Sequence, residues 1–337
     1  MTPPRRTLIT GGTGSVGRVL VRRLLKDGGA DKITIFSRDE SKQHQMKADL
    51  GEQDIPMEYI IGDVRNLDSL CEAVDGQDVI YHAAALKHVP PCEYQPYEAV
   101  QTNLLGAENL VRAVRDTATG VVSVVGVSTD KACNPICVMG MTKALQERIL
   151  IQGNIRVGGE VRFVLARFGN LLESRGSVIR TFRQQLEKNK PLTLTDPNMT
   201  RFFLTMDEAV DTIMAACHNG EPGDIFIPRV RACSMLNIAK AVQAEYPDAD
   251  HDINEIGHRP GEKLHELMVC EEEARFVEEY TDRWYVLRSM IPEVRACGFG
   301  EAVTSVLDKE YSSKDHVIDL DETKALLVSL KDYHLEI

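Results

Sequence analysis

The chain reads as an α/β protein, a doubly wound parallel sheet followed by a smaller C-terminal lobe. Three observations predict this. A short apolar strand, Thr7-Leu8-Ile9-Thr10, runs into Gly11-Gly12-Thr13-Gly14-Ser15-Val16-Gly17 and then an amphipathic segment from Arg18 to Lys26. Short apolar runs alternate with helical segments as far as Phe168, the spacing that right-handed crossovers of a parallel sheet require. Beyond Phe168 the pattern changes to loop-type stretches with isolated Arg and Asn residues.

A length of 337 residues allows a sizeable core in one large domain or two joined lobes. The expected division is a dinucleotide-binding Rossmann-type part at 1–168, rejoined by about 203–228, and a substrate lobe at 169–202 and 229–337. The formal charge of -12 argues against non-specific binding to nucleic acid or anionic lipid. Eight Cys occur with no CxxC and no metal-ligand spacing, so reduced thiols are expected rather than a disulfide framework or a metal centre. Met1 to Arg6 carries basic residues without an apolar stretch, and no run approaches the ~18 apolar residues of a membrane span. A cytoplasmic protein with no membrane insertion is the expectation.

The first strand and its turn form G-x-x-G-x-x-G in the strand–turn–helix setting that binds a dinucleotide. Gly11, Gly14 and Gly17 permit the tight turn and close backbone approach. Thr13, Ser15 and Val16 lie at the helix N-terminus that would receive the pyrophosphate. The second strand, Lys32 to Phe36, ends in Ser37-Arg38-Asp39, with Lys42 one helical turn on. A carboxylate at this strand end suits the ribose diol of NAD, whereas a small residue followed by Arg suits the 2′-phosphate of NADP. Ser37 and Arg38 favour NADP; Asp39 points the other way.

The third strand, Met57 to Ile61, leads into Gly62-Asp63-Val64-Arg65. Asp63 is placed either to bind the adenine amino group or to cap a helix at Leu67 to Val74. The fourth strand, Val79 to His82, leads into Ala83-Ala84-Ala85-Leu86-Lys87-His88, where small residues let a ligand lie against the backbone. Thr102-Asn103 opens a helix to Arg115 near the same edge. The apolar run Val121 to Val127 then delivers Ser128-Thr129-Asp130-Lys131-Ala132, with Met139-Gly140-Met141-Thr142-Lys143 following at a helix start. A hydroxyl, a carboxylate and an amine side by side at the mouth of a buried strand suit catalysis better than packing. In the later loops, Arg201 and Arg259 are candidates for a diphosphate, since guanidinium groups pair well with phosphate oxygens. Glu271-Glu272-Glu273 is expected to be a solvated helix face.

The glycine pattern, Thr129, and a Lys four residues after position 139 resemble the extended short-chain dehydrogenases/reductases. More narrowly, GDVRN, HAAALKHVP, TNLLGAENL, STDKACNP, RFGN with SRGSV, TDPNMTRF and GHRPGEKLHE resemble the UDP-N-acetylglucosamine 4,6-dehydratases of flagellin-glycan and capsule synthesis. The resemblance runs from about Thr7 to about Glu266, with an echo at Glu310-Tyr311-Ser312-Ser313. It implies NADP as cofactor, UDP-N-acetylglucosamine as substrate, a homo-oligomer, often a hexamer, and inversion at carbon 5, with a configuration-retaining 4,6-dehydratase as the alternative because Met139 also occurs in relatives that retain configuration. It assigns Lys131 as the base at carbon 5, Asp130 as the acid for the carbon-6 hydroxyl, and Thr129 as a hydrogen bond to the carbon-4 oxygen. Lys143 would hold the nicotinamide ribose. Substrate contacts carried over by position are Lys87, Lys131, Asn170, Arg175, Val178, Thr195, Arg201, Arg259 and Glu262.

Met139 departs from the wider superfamily, which has Tyr there, and a thioether has no proton to exchange. Asp130 is therefore expected to take the carbon-4 hydroxyl proton, directly or through water, with Cys133 and Cys137 as weaker candidates nearby; His88, after the fourth strand, is a separate minor candidate at the crevice. Two other readings compete. A nucleotide-sugar 4-epimerase shares the first hydride step but has no use for an acid and base at carbons 5 and 6. A non-catalytic NADP-binding protein is favoured only by Met139.

Overall fold

The computed structural model describes residues 5–117, 120–158, 161–172, 176–246, 252–295 and 304–329. The first half of the chain alternates as the sequence predicts: β1 (Arg6–Thr10), α1 (Ser15–Asp27), β2 (Lys32–Ser37), α2 (Glu40–Leu50), β3 (Met57–Ile61), α3 (Leu67–Val74) and β4 (Val79–His82). Two short helices, α4 (Val89–Tyr94) and α5 (Pro96–Ala99), lead through a wide turn at Val100–Leu105 into α6 (Gly106–Thr117). Next come β5 (Ser123–Thr129), a tight helical turn at Asp130–Ala132, α7 (Val138–Val157) and β6 (Arg162–Phe168). The expected helix start at Thr102-Asn103 is thus the middle of the wide turn, and both residues are buried in it.

The rest of the chain supplies β7 (Asn170–Leu171), α8 (Val178–Glu187), β8 (Leu192–Leu194), β9 (Thr200–Leu204), α9 (Met206–Asn219) and β10 (Ile225–Pro228). It continues with β11 (Ala232–Ser234), α10 (Met235–Gln243), β12 (Ile253–Glu255), β13 (Leu267–Val269), α11 (Glu271–Ala274) and β14 (Val277–Glu279). The described part ends with β15 (Trp284–Leu287), β16 (Tyr311–Ser312) and α12 (Leu320–Ser329). Among the described residues no helix is long and apolar enough to cross a membrane.

Among the described residues the main sheet has nine strands in the order β3-β2-β1-β4-β5-β6-β10-β15-β14. From β3 to β10 the neighbours are parallel, while β15 pairs antiparallel with both β10 and β14. Successive residues of each strand feed opposite faces. Leu8, Ile80, Val124 and Leu165 join Leu110, Val111 and Leu150 in one apolar layer. Ile9, Tyr81, Val125 and Val164 join Leu20, Leu24 and Ile213 in the other. This double burial explains why the strands read as continuous apolar runs. A separate core of Leu172, Phe182, Leu192, Phe203, Ile238 and Leu327 holds the smaller lobe together.

Two expectations are corrected. Residues 277–287, assigned to the substrate lobe, extend the main sheet instead: Val277, Val286 and Leu287 are buried on a hairpin covering the β10 edge. The acidic run at α11 is not wholly a solvated face, because Glu273 is buried against Arg167. Arg167, at the end of β6, is only 1% exposed, and all five of its N–H donors are used. It meets Glu147 of α7 at 3.0 and 2.7 Å, Glu273 of α11 at 2.7 and 2.9 Å, and the Met268 carbonyl at 2.8 Å. Burial opposes its charge, but the two carboxylates more than offset this, and Glu273 is held down to about 2 although burial alone would raise it.

Arg167→Ala would leave two buried carboxylates without a countercharge. The expected loss is about 3–5 kcal/mol, read as a lower urea midpoint at unchanged slope.

Candidate active site

The sheet order reverses between β1 and β4, and such a point opens a crevice beyond the strand ends. Gly11 has φ +69°, and a Cβ there would stand 2.7 Å from the Ala84 nitrogen, so only glycine lets the two loops meet. Gly14 starts α1 without any side-chain cap, leaving its first N–H groups to an anion. These features fit a dinucleotide pyrophosphate.

The crevice is a cavity of about 680 Å³. Gly11, Thr13, Gly14, Ser15, Val16, Gly17, Ser37, Arg38, Asp39, Lys42 and Val64 line one end of it. Ala83, Ala85, Lys87, His88 and Thr102 line its middle, with Thr129, Lys131, Met139, Lys143, Asn170 and Val178 beyond them. The residues expected at the cofactor and at the chemistry therefore largely share one cavity.

Several predicted residues stand elsewhere. Asn103 is fully buried, with its side chain bonded to the Leu86 N–H, the Leu86 carbonyl and Thr142. It shapes the Ala85–Lys87 loop from behind. Asp63 does not cap α3, since Asn66 accepts from the Ser69 N–H in that role. Instead Arg65 donates to Asp63 from its backbone at 3.0 Å and its side chain at 2.9 and 2.7 Å. Thr195 bonds to Met199, and Arg201 is buried beside Glu266 with bonds to the Thr200 and Leu264 carbonyls. The diphosphate role expected of Arg201 thus meets a side chain already engaged. Arg259 is exposed and Glu262 half-buried on a turn outside the cavity lining, while Arg175 lies outside the described residues.

At the end of β2, the Ser37 hydroxyl accepts from Gln43 Nε2 at 3.0 Å. Asp39 caps α2, accepting from the Lys42 N–H at 3.0 Å, and its other oxygen lies 2.6 Å from Lys42 Nζ. Arg38 is half-exposed, its nearest acid Asp63 at 3.6 Å.

The reactive end is built on β5 and α7. Thr129 donates to Asp130 Oδ1 at 2.9 Å, and Lys131 Nζ donates to the same oxygen at 3.0 Å and to Asn170 Oδ1 at 3.0 Å. Glu266 Oε1 is 3.4 Å from Lys131 Nζ. Asp130 is fully buried and does not itself line the cavity; it sits behind Thr129 and Lys131. Burial raises its carboxyl above the usual range, against the pull of Lys131. Burial would lower the Lys131 amine, but Asp130 and Glu266 together raise it. The base implied by the resemblance is therefore an ammonium in this arrangement.

Lys143 shows the opposite balance. Its Nζ meets the Val127 carbonyl at 2.5 Å and Gln146 Oε1 at 2.7 Å, and burial brings it down to about 7. Met139, only 4% exposed, packs with Cys92, Ala99 and Cys137.

Sequence reasoning missed Glu266, whose only signal is its place at the end of GHRPGEKLHE. It also missed His82, buried below the crevice, with a 2.8 Å hydrogen bond to Thr10 and a pKa lowered by burial to about 3. Cys133, Cys270 and Glu273 have their ligand atoms within 4.8 Å of one another. Both Glu273 oxygens already serve Arg167, so a cation there would have to displace a guanidinium.

Residues 7–288 match the family described as polysaccharide biosynthesis protein. A UDP-glucose 4-epimerase of Rickettsia conorii is 40% identical over 332 residues, covering 97% of this chain and 96% of that protein. An uncharacterized membrane protein of Methanocaldococcus jannaschii is 41% identical over 286 residues, 83% of this chain and 84% of that one. Among solved structures, Pen from Bacillus thuringiensis has a TM-score of 0.89 at 29% identity, covering 97% of this chain and 98% of that one. DesIV, a dTDP-glucose 4,6-dehydratase of Streptomyces venezuelae solved with NAD, has a TM-score of 0.68 at 22% identity, over 77% of this chain and 86% of that one. The last likeness concerns the fold alone.

The turn Asp130–Ala132 and α7 touch through Gly140, where a Cβ would stand 2.2 Å from the Lys131 carbonyl oxygen. Gly140→Ala should push the turn away, lowering stability by about 1–3 kcal/mol in a thermal melt and weakening whatever activity Lys131 serves.

Proposed function

The chain belongs to the polysaccharide biosynthesis protein family, on the extended short-chain dehydrogenase/reductase fold, and from that premise we propose that it is an NADP-dependent UDP-N-acetylglucosamine 4,6-dehydratase. The observation that carries the proposal is the hydrogen-bonded Thr129–Asp130–Lys131 unit beside Lys143 at the far end of a dinucleotide crevice. A bound nicotinamide dinucleotide would supply reversible hydride acceptance, from sugar carbon 4 and back to carbon 6.

The chain's own residues then move protons. Thr129 Oγ takes the carbon-4 hydroxyl proton while passing its own to Asp130 Oδ1. A buried carboxyl raised above its usual range suits this, because it can hold the proton and later give it up. The resulting ketone acidifies carbon 5. Lys131, in its amine form, removes that proton, and Asp130 returns its own through Thr129 to the departing carbon-6 hydroxyl, which leaves as water. Water then gives carbon 5 a proton from the face opposite Lys131, and Lys131 passes the proton it took to solvent, which leaves the inverted product and restores the base. No step needs a tyrosine at position 139.

NADP rather than NAD is supported by Ser37 at the end of β2, by half-exposed Arg38, and by the engagement of Asp39 as a helix cap. Arg259 and Glu262 remain the proposed grip on the diphosphate and uridine ribose. Their turn is tethered to the catalytic stretch by a 2.6 Å bond from Lys263 Nζ to the Cys133 carbonyl. The outward face of α7 carries Met141, Leu145 and Ile155, exposed apolar residues at helical spacing, which supports a homo-oligomer. A reducing, cytoplasmic setting fits the seven described cysteines, all free thiols.

A second reading, 4-epimerisation, has the names of the Rickettsia relatives in its favour. Incubation with UDP-N-acetylglucosamine separates the two. Dehydration lowers the sugar mass by one water and carries deuterium from carbon 4 to carbon 6, whereas an epimerase leaves mass and label position unchanged. Thr129→Val and Asp130→Asn should each abolish the mass change; full activity in Asp130→Asn would sink the assigned proton route. For the cofactor, Arg38→Ala should weaken NADP binding by about 10- to 100-fold in calorimetry and leave NAD unaffected, the loss of one charge-assisted phosphate contact.

A further inference from the structure

Lys131 is held on three sides. Its three N–H donors face Asp130 Oδ1 at 3.0 Å, Asn170 Oδ1 at 3.0 Å and Glu266 Oε1 at 3.4 Å. Only Asp130 and Asn170 come from segments the sequence marked as reactive. Glu266 comes from far along the chain, just before β13, whose Met268 and Val269 pack into the main-sheet core. It is 2% exposed, and its backbone is pinned, its N–H donating to Ser313 Oγ at 2.9 Å and its carbonyl accepting from the Ser313 N–H at 2.9 Å. Its Oε2 is buried with no hydrogen-bond partner, and Arg201 Nε lies 3.7 Å from Oε1.

We propose that Glu266 is the positioning residue that holds Lys131 as an ammonium and thereby sets when Lys131 can act as a base. This rests on the role given to Lys131 above. The two carboxylates flanking the ammonium differ in kind. Asp130 changes charge during the proposed reaction, whereas Glu266 stays ionised between Lys131 and Arg201. Once Asp130 has taken the carbon-4 proton, Glu266 is the anion that still opposes loss of a proton from Lys131. The site is then self-timing: with Asp130 neutral, one carboxylate instead of two holds the ammonium, which yields a proton to solvent water and becomes the amine only after the first proton has moved, limiting abstraction at carbon 5 before the ketone exists.

The charged and titratable groups around Glu266 support one sign of effect. Asp130 and Lys131 face it from the catalytic turn, Arg201 from β9, and Lys263 from the preceding loop. The Cys137 thiol feels its field from the start of α7. Burial alone would raise the Glu266 carboxyl, but Lys131, Arg201 and Lys263 hold it below the usual range. Beside it in sequence, His265 is bonded through Nδ1 to Thr200, and burial disfavours its charged form. Arg201 opposes the Lys131 charge, so removing Glu266 exposes the amine to an unbalanced cation.

The test uses the full chain with lysine labelled at 13Cε, titrated by NMR without substrate, the Lys131 signal being identified by its loss in Lys131→Met. Glu266→Gln should move the Lys131 midpoint down by on the order of one pH unit or more. Glu266→Asp should restore part of the shift, and Arg201→Met should move the midpoint up. In turnover, the acid limb of kcat should move to lower pH in Glu266→Gln, with KM little changed. An unmoved Lys131 midpoint in Glu266→Gln, or a uniform loss of rate with an unmoved pH profile, would overturn the proposal. If Glu266→Gln does not fold, the opposite shifts predicted for Glu266→Asp and Arg201→Met decide it. Should the wild-type chain fail to dehydrate the sugar, the dehydratase reading falls, while the substrate-free titration still decides the coupling.

Discussion

The reactive stretch depends on the buried Arg167 and its two carboxylates. Arg167 ends β6, Glu147 lies one helical turn beyond Lys143 on α7, and Glu273 belongs to α11. Ser128 donates to Glu147 Oε1 at 2.5 Å, so the residue before Thr129 is tied into the same network. One guanidinium thus joins the strand beside β5, the helix that carries Lys143, and a segment 106 residues away in sequence. Buried ion pairs contribute little net stability relative to a well-packed apolar core. What this one supplies is geometry: a planar fork accepts its partners only in fixed directions, so sheet, helix and α11 come together in one arrangement.

Within that frame, two lysines illustrate how partners decide charge. Lys131 and Lys143 are both drawn out of water. Lys143 faces neutral oxygens of Val127 and Gln146, and burial wins, bringing it to about 7. Lys131 faces two carboxylates, and attraction wins, so its pKa rises. The carboxylates are split in the same manner. Asp130, deeper and close to one cation, rises; Glu266, between Lys131 and Arg201, falls. Environments that push paired groups apart are how one pocket keeps acid and base roles distinct at a single pH.

Local patterns carried much of this into view. The glycine-rich turn, the parallel strands and the Ser128–Lys131 stretch were legible because each rests on short-range chemistry: a tight turn, an apolar run, adjacent polar groups. Partners assembled across the fold were not. Nothing near Glu273 signals that Arg167 will bury it, and nothing near Glu266 signals Lys131. Strands β14 and β15 were hidden for a related reason, since a short antiparallel hairpin on a sheet edge has no long apolar run to announce it. Asp39 and Asp63 illustrate a different limit. Each is an acid after a strand, and the sequence alone could not show that Asp39 also caps a helix or that Asp63 takes an arginine contact.

Met139 gains its meaning from the same arrangement. In a pocket whose first proton acceptor had to touch substrate directly, an apolar residue here would be a defect. Asp130 instead sits behind the Thr129 hydroxyl, which already points its proton at the carboxylate. On the proposed route the acceptor reaches substrate through that hydroxyl, and position 139 is relieved of acid–base work. What remains for it is to exclude water. Met139 joins Cys92, Ala99 and Cys137 in a small apolar wall, and Gly140 brings that wall against the turn bearing Asp130 and Lys131. Low polarity beside a buried charge cluster strengthens every attraction and repulsion within it. A tyrosine hydroxyl at the same depth would need its own hydrogen-bond partner. The thioether, adaptable and without a strong hydrogen bond, leaves the coupling among Asp130, Lys131 and Glu266 undisturbed.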